Sequence, residues 1–157
     1  MKVIPPLVTE GKKAPVHYLK KEVIHLPFFV FRAIYSGGRE IFVMVDGIKG
    51  KTVRVEPWIL DKGEEKNFEI NVEISQQEAK EIALQEARFP VSIFFKKRME
   101  SLELMESILY PFLIYYKRKG EGYNIDVYDG VTGKRENFFA REIIIAILMK
   151  EVNRSVR

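Results

Sequence analysis

The chain has 157 residues, 46% of them hydrophobic and 31% charged, the composition of one ordinary globular domain or two small ones. It contains no Cys, which excludes a disulfide framework, a thiolate metal site and a Cys nucleophile. No stretch nears the roughly 20 apolar residues of a membrane-spanning helix and the first residues hold no apolar core for a secretory leader, so the chain is expected to be cytoplasmic, with no membrane insertion.

Lys and Arg number 26 and Asp and Glu 22, a net charge of +4. Residues 1–66 carry 12 basic against 8 acidic residues, and residues 67–157 carry 14 against 14. Such a charge suits solubility and permits an anionic partner without demanding one. The chain is rich in Ile, Lys and Glu and poor in Gln, a bias shared with heat-adapted, archaeal proteins.

Taken in chain order, Pro5, Pro6 and Pro15 make the first segment irregular. Phe28–Tyr35 reads as a strand, Ser36-Gly37-Gly38 as a turn and Glu40–Val45 as a returning strand. Asp46, Gly47, Gly50 and Lys51 form a second reversal: Asp bonds nearby backbone amides and the later Gly takes positive φ. Lys51–Glu56 is a third strand, ending at Pro57 and the only Trp, Trp58, expected to pack at a rim. The polar run Asp61–Lys66 is the best boundary. Phe68, Ile70, Val72 and Ile74 alternate with polar residues as a strand. Ser75 and Glu78 have the spacing of a capping box, followed by a helix over 75–88 that ends before Pro90. Val91–Phe95 is expected to be extended and Lys96–Glu106 helical. Phe112–Lys117 and Tyr123–Tyr128 are strands about the turn Gly120-Glu121-Gly122, and Asp129, Gly130, Gly133 and Lys134 make the next reversal. Asn137 is a fair cap for a helix over 138–152 that is apolar nearly all round.

Two stretches correspond. Glu22, Ile24, Pro27 and Phe28 match Glu106, Ile108, Pro111 and Phe112. Asp46, Gly47, Gly50 and Lys51 match Asp129, Gly130, Gly133 and Lys134 after a one-residue slip in a turn. The slip falls where length changes cost least, and both prolines are expected at strand starts or edges. The expected fold is therefore α+β: internally duplicated antiparallel β-meanders, with the capped helix (75–88) and the C-terminal apolar helix (138–152) packed on the sheet. Residues 1–60 would hold the first repeat and 67–157 the second, within one compact domain or two.

The second half resembles the PepSY-type module. The resemblance is carried by the Ala-rich helix Ser75–Ala83 and by the meander Tyr123–Gly133 with Asp129, Thr132 and Gly133; a Tyr-Pro-Phe strand, here Tyr110-Pro111-Phe112, also resembles that of uncharacterised prokaryotic proteins. The resemblance implies a helix on an antiparallel sheet, and binding or inhibition more than catalysis. The first half lacks the helix that would precede its meander.

Reactive chemistry finds little footing. Gly50-Lys51-Thr52 resembles the tail of a phosphate-binding loop, but position 45 is Val and a strand follows where a helix is needed. Gly120-Glu121-Gly122 lacks the third Gly of a dinucleotide fingerprint. His17 and His25 have no carboxylates at ligand spacing. Ser36 and Ser107 have no His partner at an informative place. Asp46 and Asp129 sit at equivalent turns, which assigns them to scaffolding. No enzyme activity and no cofactor or metal is expected.

The expected function is protein–protein contact, as a homo-oligomer or accessory subunit, with Ile143, Ile144, Ile147, Leu148 and Trp58 as interface candidates. The alternative is nucleic-acid binding, as an accessory protein of an archaeal plasmid or virus, through Lys96, Lys97, Arg98, Lys117, Arg118 and Lys119 beside aromatic residues. A PepSY-like inhibitor or chaperone-like binder would need a cleft or an exposed sheet edge.

Overall fold

The computed structural model describes residues 1–67, 72–88, 98–136 and 139–155. In chain order the elements are β1 (Lys2–Val3), β2 (Lys20–Tyr35), β3 (Glu40–Asp46), β4 (Thr52–Arg54), α1 (Pro57–Leu60), β5 (Glu64–Glu65), α2 (Gln76–Arg88), β6 (Met99–Lys119), β7 (Gly122–Asp129) and α3 (Phe139–Ser155). The fold is mixed α+β. It divides into two compact units: unit 1 is Met1–Ile4 with Leu26–Tyr110, and unit 2 is Pro5–His25 with Pro111–Arg157. The division therefore falls beside Pro5, Pro27 and Pro111 rather than in the polar run Asp61–Lys66.

Unit 1 orders its strands β4-β3-β2-β6-β1-β5. β2 and β3 form an antiparallel hairpin from Phe28↔Asp46 to Ile34↔Glu40, and β3 pairs with β4. Leu26 to Phe31 are all buried, so this part of β2 is covered on both faces, which is why it reads as an unbroken apolar run. Phe29, Phe31 and Val45 pack with Ala79 and Ala83 of α2, joined by Ile74, Ile82 and Leu102. Alanines four apart put one small-sided stripe of the helix against the aromatic rings. The Ser75 hydroxyl accepts a hydrogen bond from the Glu78 amide at 3.1 Å, satisfying one of the donors that a helix start leaves free.

Unit 2 is built on the hairpin of β6 and β7, paired from Phe112↔Asp129 to Lys119↔Gly122. Leu113, Tyr115 and Tyr128 face one side, where Val8 and Ala14 cover them. Gly11 is required there, because a Cβ would lie 2.3 Å from the Tyr128 ring. On the other side α3 packs on β7, with Ala140, Ile143 and Ile144 fully buried.

The structure corrects several sequence expectations. Residues 98–106 are strand beyond Arg98, not helix, because β6 lies beside β2: the Ser36 amide donates to the Arg98 carbonyl and Arg32 pairs with Glu103. Val72–Ile74 are not strand; the amides of Glu73 and Ile74 both donate to the Gly47 carbonyl, at 2.7 and 3.0 Å. Residues 68–71, 91–95 and Asn137 lie outside the described residues. Pro27 and Pro111 sit inside long strands rather than at their starts, but each immediately precedes the first pair of a hairpin ladder, where its missing N–H interrupts nothing. Trp58 is the second residue of the short helix α1, after Pro57. The two elements that carry the PepSY resemblance fall in different units, α2 in unit 1 and the Asp129 turn in unit 2.

The Asp-Gly reversals are built alike. Asp46 Oδ1 accepts from the amides of Ile48 (2.9 Å) and Lys49 (2.7 Å); Asp129 Oδ1 accepts from Val131 (2.7 Å) and Thr132 (3.0 Å). The Gly47 amide donates to the Pro27 carbonyl and the Gly130 amide to that of Pro111, both at 2.9 Å. Gly50 and Gly133 stand at φ of 74° and 77°.

Candidate functional site

Among the described residues, the surface of unit 2 beside α3 joins an apolar hollow to a polar one. The alternation of a strand places Tyr123, Ile125 and Val127 of β7 on one face, with Ile114, Tyr116 and Arg118 of β6 opposite them. Ile143 and Ile144 of α3 are spent on the core, but the helix is longer than the core it covers. Ile145, Leu148 and Met149 therefore line a groove of about 550 Å³ with Tyr116, Tyr123, Asn124, Ile125 and Arg141. Tyr123 is 74% exposed and Met149 59%. Large apolar groups left in water beside one another mark a contact surface.

A smaller polar hollow of about 210 Å³ adjoins it, lined by Asn124, Ile125, Asp126, Val127, Arg135, Glu136 and Arg141. Three residues are common to both. Arg141 donates from Nη2 to Asn124 Oδ1 at 2.8 Å and from Nε to the Ile125 carbonyl at 3.4 Å, while the Ile125 amide donates to the same Asn124 Oδ1 at 3.0 Å. Both backbone polar groups of Ile125 are thus taken by side chains. Asn124 and Arg141 close at this point the outer edge of β7, which would otherwise be open to another strand. Further along, the Glu136 amide donates to the Val127 carbonyl at 2.8 Å and Tyr128 bridges Arg135.

The acids here are held differently. Asp126 is buried and paired with Lys117 Nζ at 2.7 Å and Arg135 Nη2 at 3.1 Å. Two cations on one buried carboxylate make it a structural anchor. Burial pushes the Glu136 carboxyl above the ordinary carboxylate range, helped by the charge of Asp129. Burial also raises the Tyr128 phenol, with Asp126 adding to it. Among the described residues no three His, Asp or Glu gather as a metal would require, and no helix is long and apolar enough to cross a membrane.

Of the interface candidates, Ile143 and Ile144 are fully buried by their own chain and offer no surface to a partner. Ile147 and Leu148 are half-buried, and Leu148 lines the groove. Trp58 is 48% exposed in unit 1. Of the basic candidates, Lys96 and Lys97 lie outside the described residues. Arg98 is exposed in unit 1, whereas Lys117, Arg118 and Lys119 belong to the β6–β7 hairpin of unit 2. Lys117 is engaged by Asp126; Arg118 and Lys119 are exposed, and Arg118 faces Tyr123 across the hairpin. Sequence reasoning passed over Arg141, Asn124, Tyr123, Ile145 and Met149. The available signal was Arg141 itself, a lone cation at the head of an apolar helix, with Ile145, Leu148 and Met149 following at helical spacing on its side.

Compared with known protein families, with curated proteins and with solved structures, the chain matches none.

Proposed function

We propose that the chain is a non-catalytic interaction module, built from two copies of one β-meander, that meets a partner protein through the β7–α3 groove of unit 2. The like hydrogen bonding of the Asp46 and Asp129 turns, down to the left-handed Gly50 and Gly133, supports the duplication. The observation that carries the interaction is the groove: Tyr123, Ile145 and Met149 stay in water although the core of their own unit is complete without them. In the homo-oligomeric form of this reading a second copy covers them; in the accessory-subunit form another protein does. Amide-resolved NMR with a panel of short apolar peptides tests the groove. Shifts are expected at Tyr123–Ile125 and Ile145–Met149, lost in Met149→Asp; peptides that leave those amides unmoved count against it.

A second reading, single-stranded nucleic acid, is favoured by the partition of charge. Unit 1 contains 13 Lys and Arg against 14 Asp and Glu, whereas unit 2 contains 13 against 8. Exposed Arg118, beside exposed Tyr123, pairs a phosphate contact with a stacking surface.

A further inference from the structure

The polar end of the β7–α3 groove offers donors. Asn124 spends its side-chain oxygen on the Ile125 amide and on Arg141, so what its carboxamide has left is the Nδ2 hydrogens. Arg141 is half-buried and forms no ion pair among the described residues. Its two hydrogen bonds go to neutral oxygens, and a guanidinium has further N–H groups to give and nothing with which to accept. A partly desolvated guanidinium in no ion pair among the described residues, beside the spare hydrogens of the Asn124 carboxamide, complements a carboxylate. The remainder of the lining is apolar: Ile125, Ile145, Leu148 and Met149, with Tyr116 and Tyr123 as walls.

The shape selects among carboxylates. The groove, about 550 Å³, is of small-ligand size, but sites for free small molecules enclose most of their ligand, and this one leaves Tyr123 and Met149 largely in water. It suits a ligand that enters by one end and continues into solvent. The edge of β7 at Ile125 is already closed by side chains, so a chain cannot extend the sheet there. From these features we infer that the groove takes the C-terminus of a partner polypeptide, with the α-carboxylate on Arg141 and Asn124 and the last apolar side chains against Ile145, Leu148 and Met149. This rests on the groove being a protein-contact surface and adds the chemistry by which the partner is chosen.

The test is fluorescence anisotropy with a labelled peptide, Gly-Ser-Gly-Ser-Ile-Leu, as the free acid and as the C-terminal amide, with dodecanoate as competitor. The acid is expected to bind about tenfold or more tightly than the amide, the effect of a charge-assisted hydrogen-bond pair, and dodecanoate to displace it only weakly. Arg141→Met should remove the difference between acid and amide, and Arg141→Lys should keep part of it, since the charge survives and the planar fork does not. Equal binding of acid and amide overturns the carboxylate while leaving the groove in place. Dodecanoate binding as tightly as the acid overturns the peptide as its source. If neither peptide binds and the groove amides do not shift, the reading of the groove itself falls. The acid–amide comparison on the unmodified chain needs no variant to fold.

Discussion

At the scale of single residues, two equivalent glycines answer to different constraints. Gly50 and Gly133 share a left-handed φ, which costs a side chain about 1 kcal/mol. A Cβ on Gly50 would also press within 2.8 Å of Ile82 and 2.9 Å of Ile74, whereas on Gly133 its nearest neighbour is Lys12 at 3.4 Å. Urea unfolding should therefore show Gly133→Ala losing about 1 kcal/mol and Gly50→Ala clearly more; equal losses would place the whole cost in the backbone. Glu136 supplies a pH signature. Its carboxyl is raised above the ordinary range, first by burial and then by Asp129, so the folded chain holds this proton more tightly than the unfolded one. The contribution to stability is greatest below the ordinary Glu range and falls as pH rises through it towards the raised value. Glu136→Gln should raise the melting temperature at about pH 7 and have no such effect at about pH 3. A gain of the same size at both pH values would assign it to something other than ionisation. The turn aspartates were legible in the sequence because an Asx turn is a local affair of a few residues. The Asn124–Arg141 pair was not, because seventeen positions separate its members and only the packing of α3 on β7 brings them together.

At the scale of elements, α3 divides its apolar residues between two tasks. Ile144 is fully buried and Met149 is mostly exposed, although the helix reads as uniformly apolar in sequence. Ile144→Glu places an unpaired charge in the core and should unfold unit 2, while Met149→Asp should leave the circular dichroism spectrum and melting temperature nearly unchanged. A folded Ile144→Glu chain would refute this arrangement of the helix. Both long helices were legible, α2 from its start signal and alanine stripe and α3 from its length. The strand from Met99 was not. Residues such as Glu100, Leu102, Glu103 and Leu104 carry no alternation strong enough to declare a strand, and it is pairing with a neighbour that makes them one.

At the scale of the whole molecule, the charge is distributed by fold rather than by sequence order. Residues 1–66 carry +4 and residues 67–157 zero; unit 1 is −1 and unit 2 +5, because Lys12, Lys13, Lys20 and Lys21 join the C-terminal hairpin and helix. If unit 2 binds single-stranded nucleic acid, affinity should fall steeply with salt, and Arg118→Ala with Lys119→Ala should lower the slope of log K against log salt by roughly 0.7 per lost phosphate contact. No binding at low salt removes that reading. What the sequence determined by itself was whatever depends on neighbours along the chain: the Asp-Gly turns, the hairpin strands that flank them, the helices with their apolar faces, the α+β class. The tertiary structure alone decided which apolar residues are core and which remain in water, and that residues 5–25 share a unit with residues 111–157. Burial depends on what lies across a face, and local propensity holds no record of which distant segment comes to lie there.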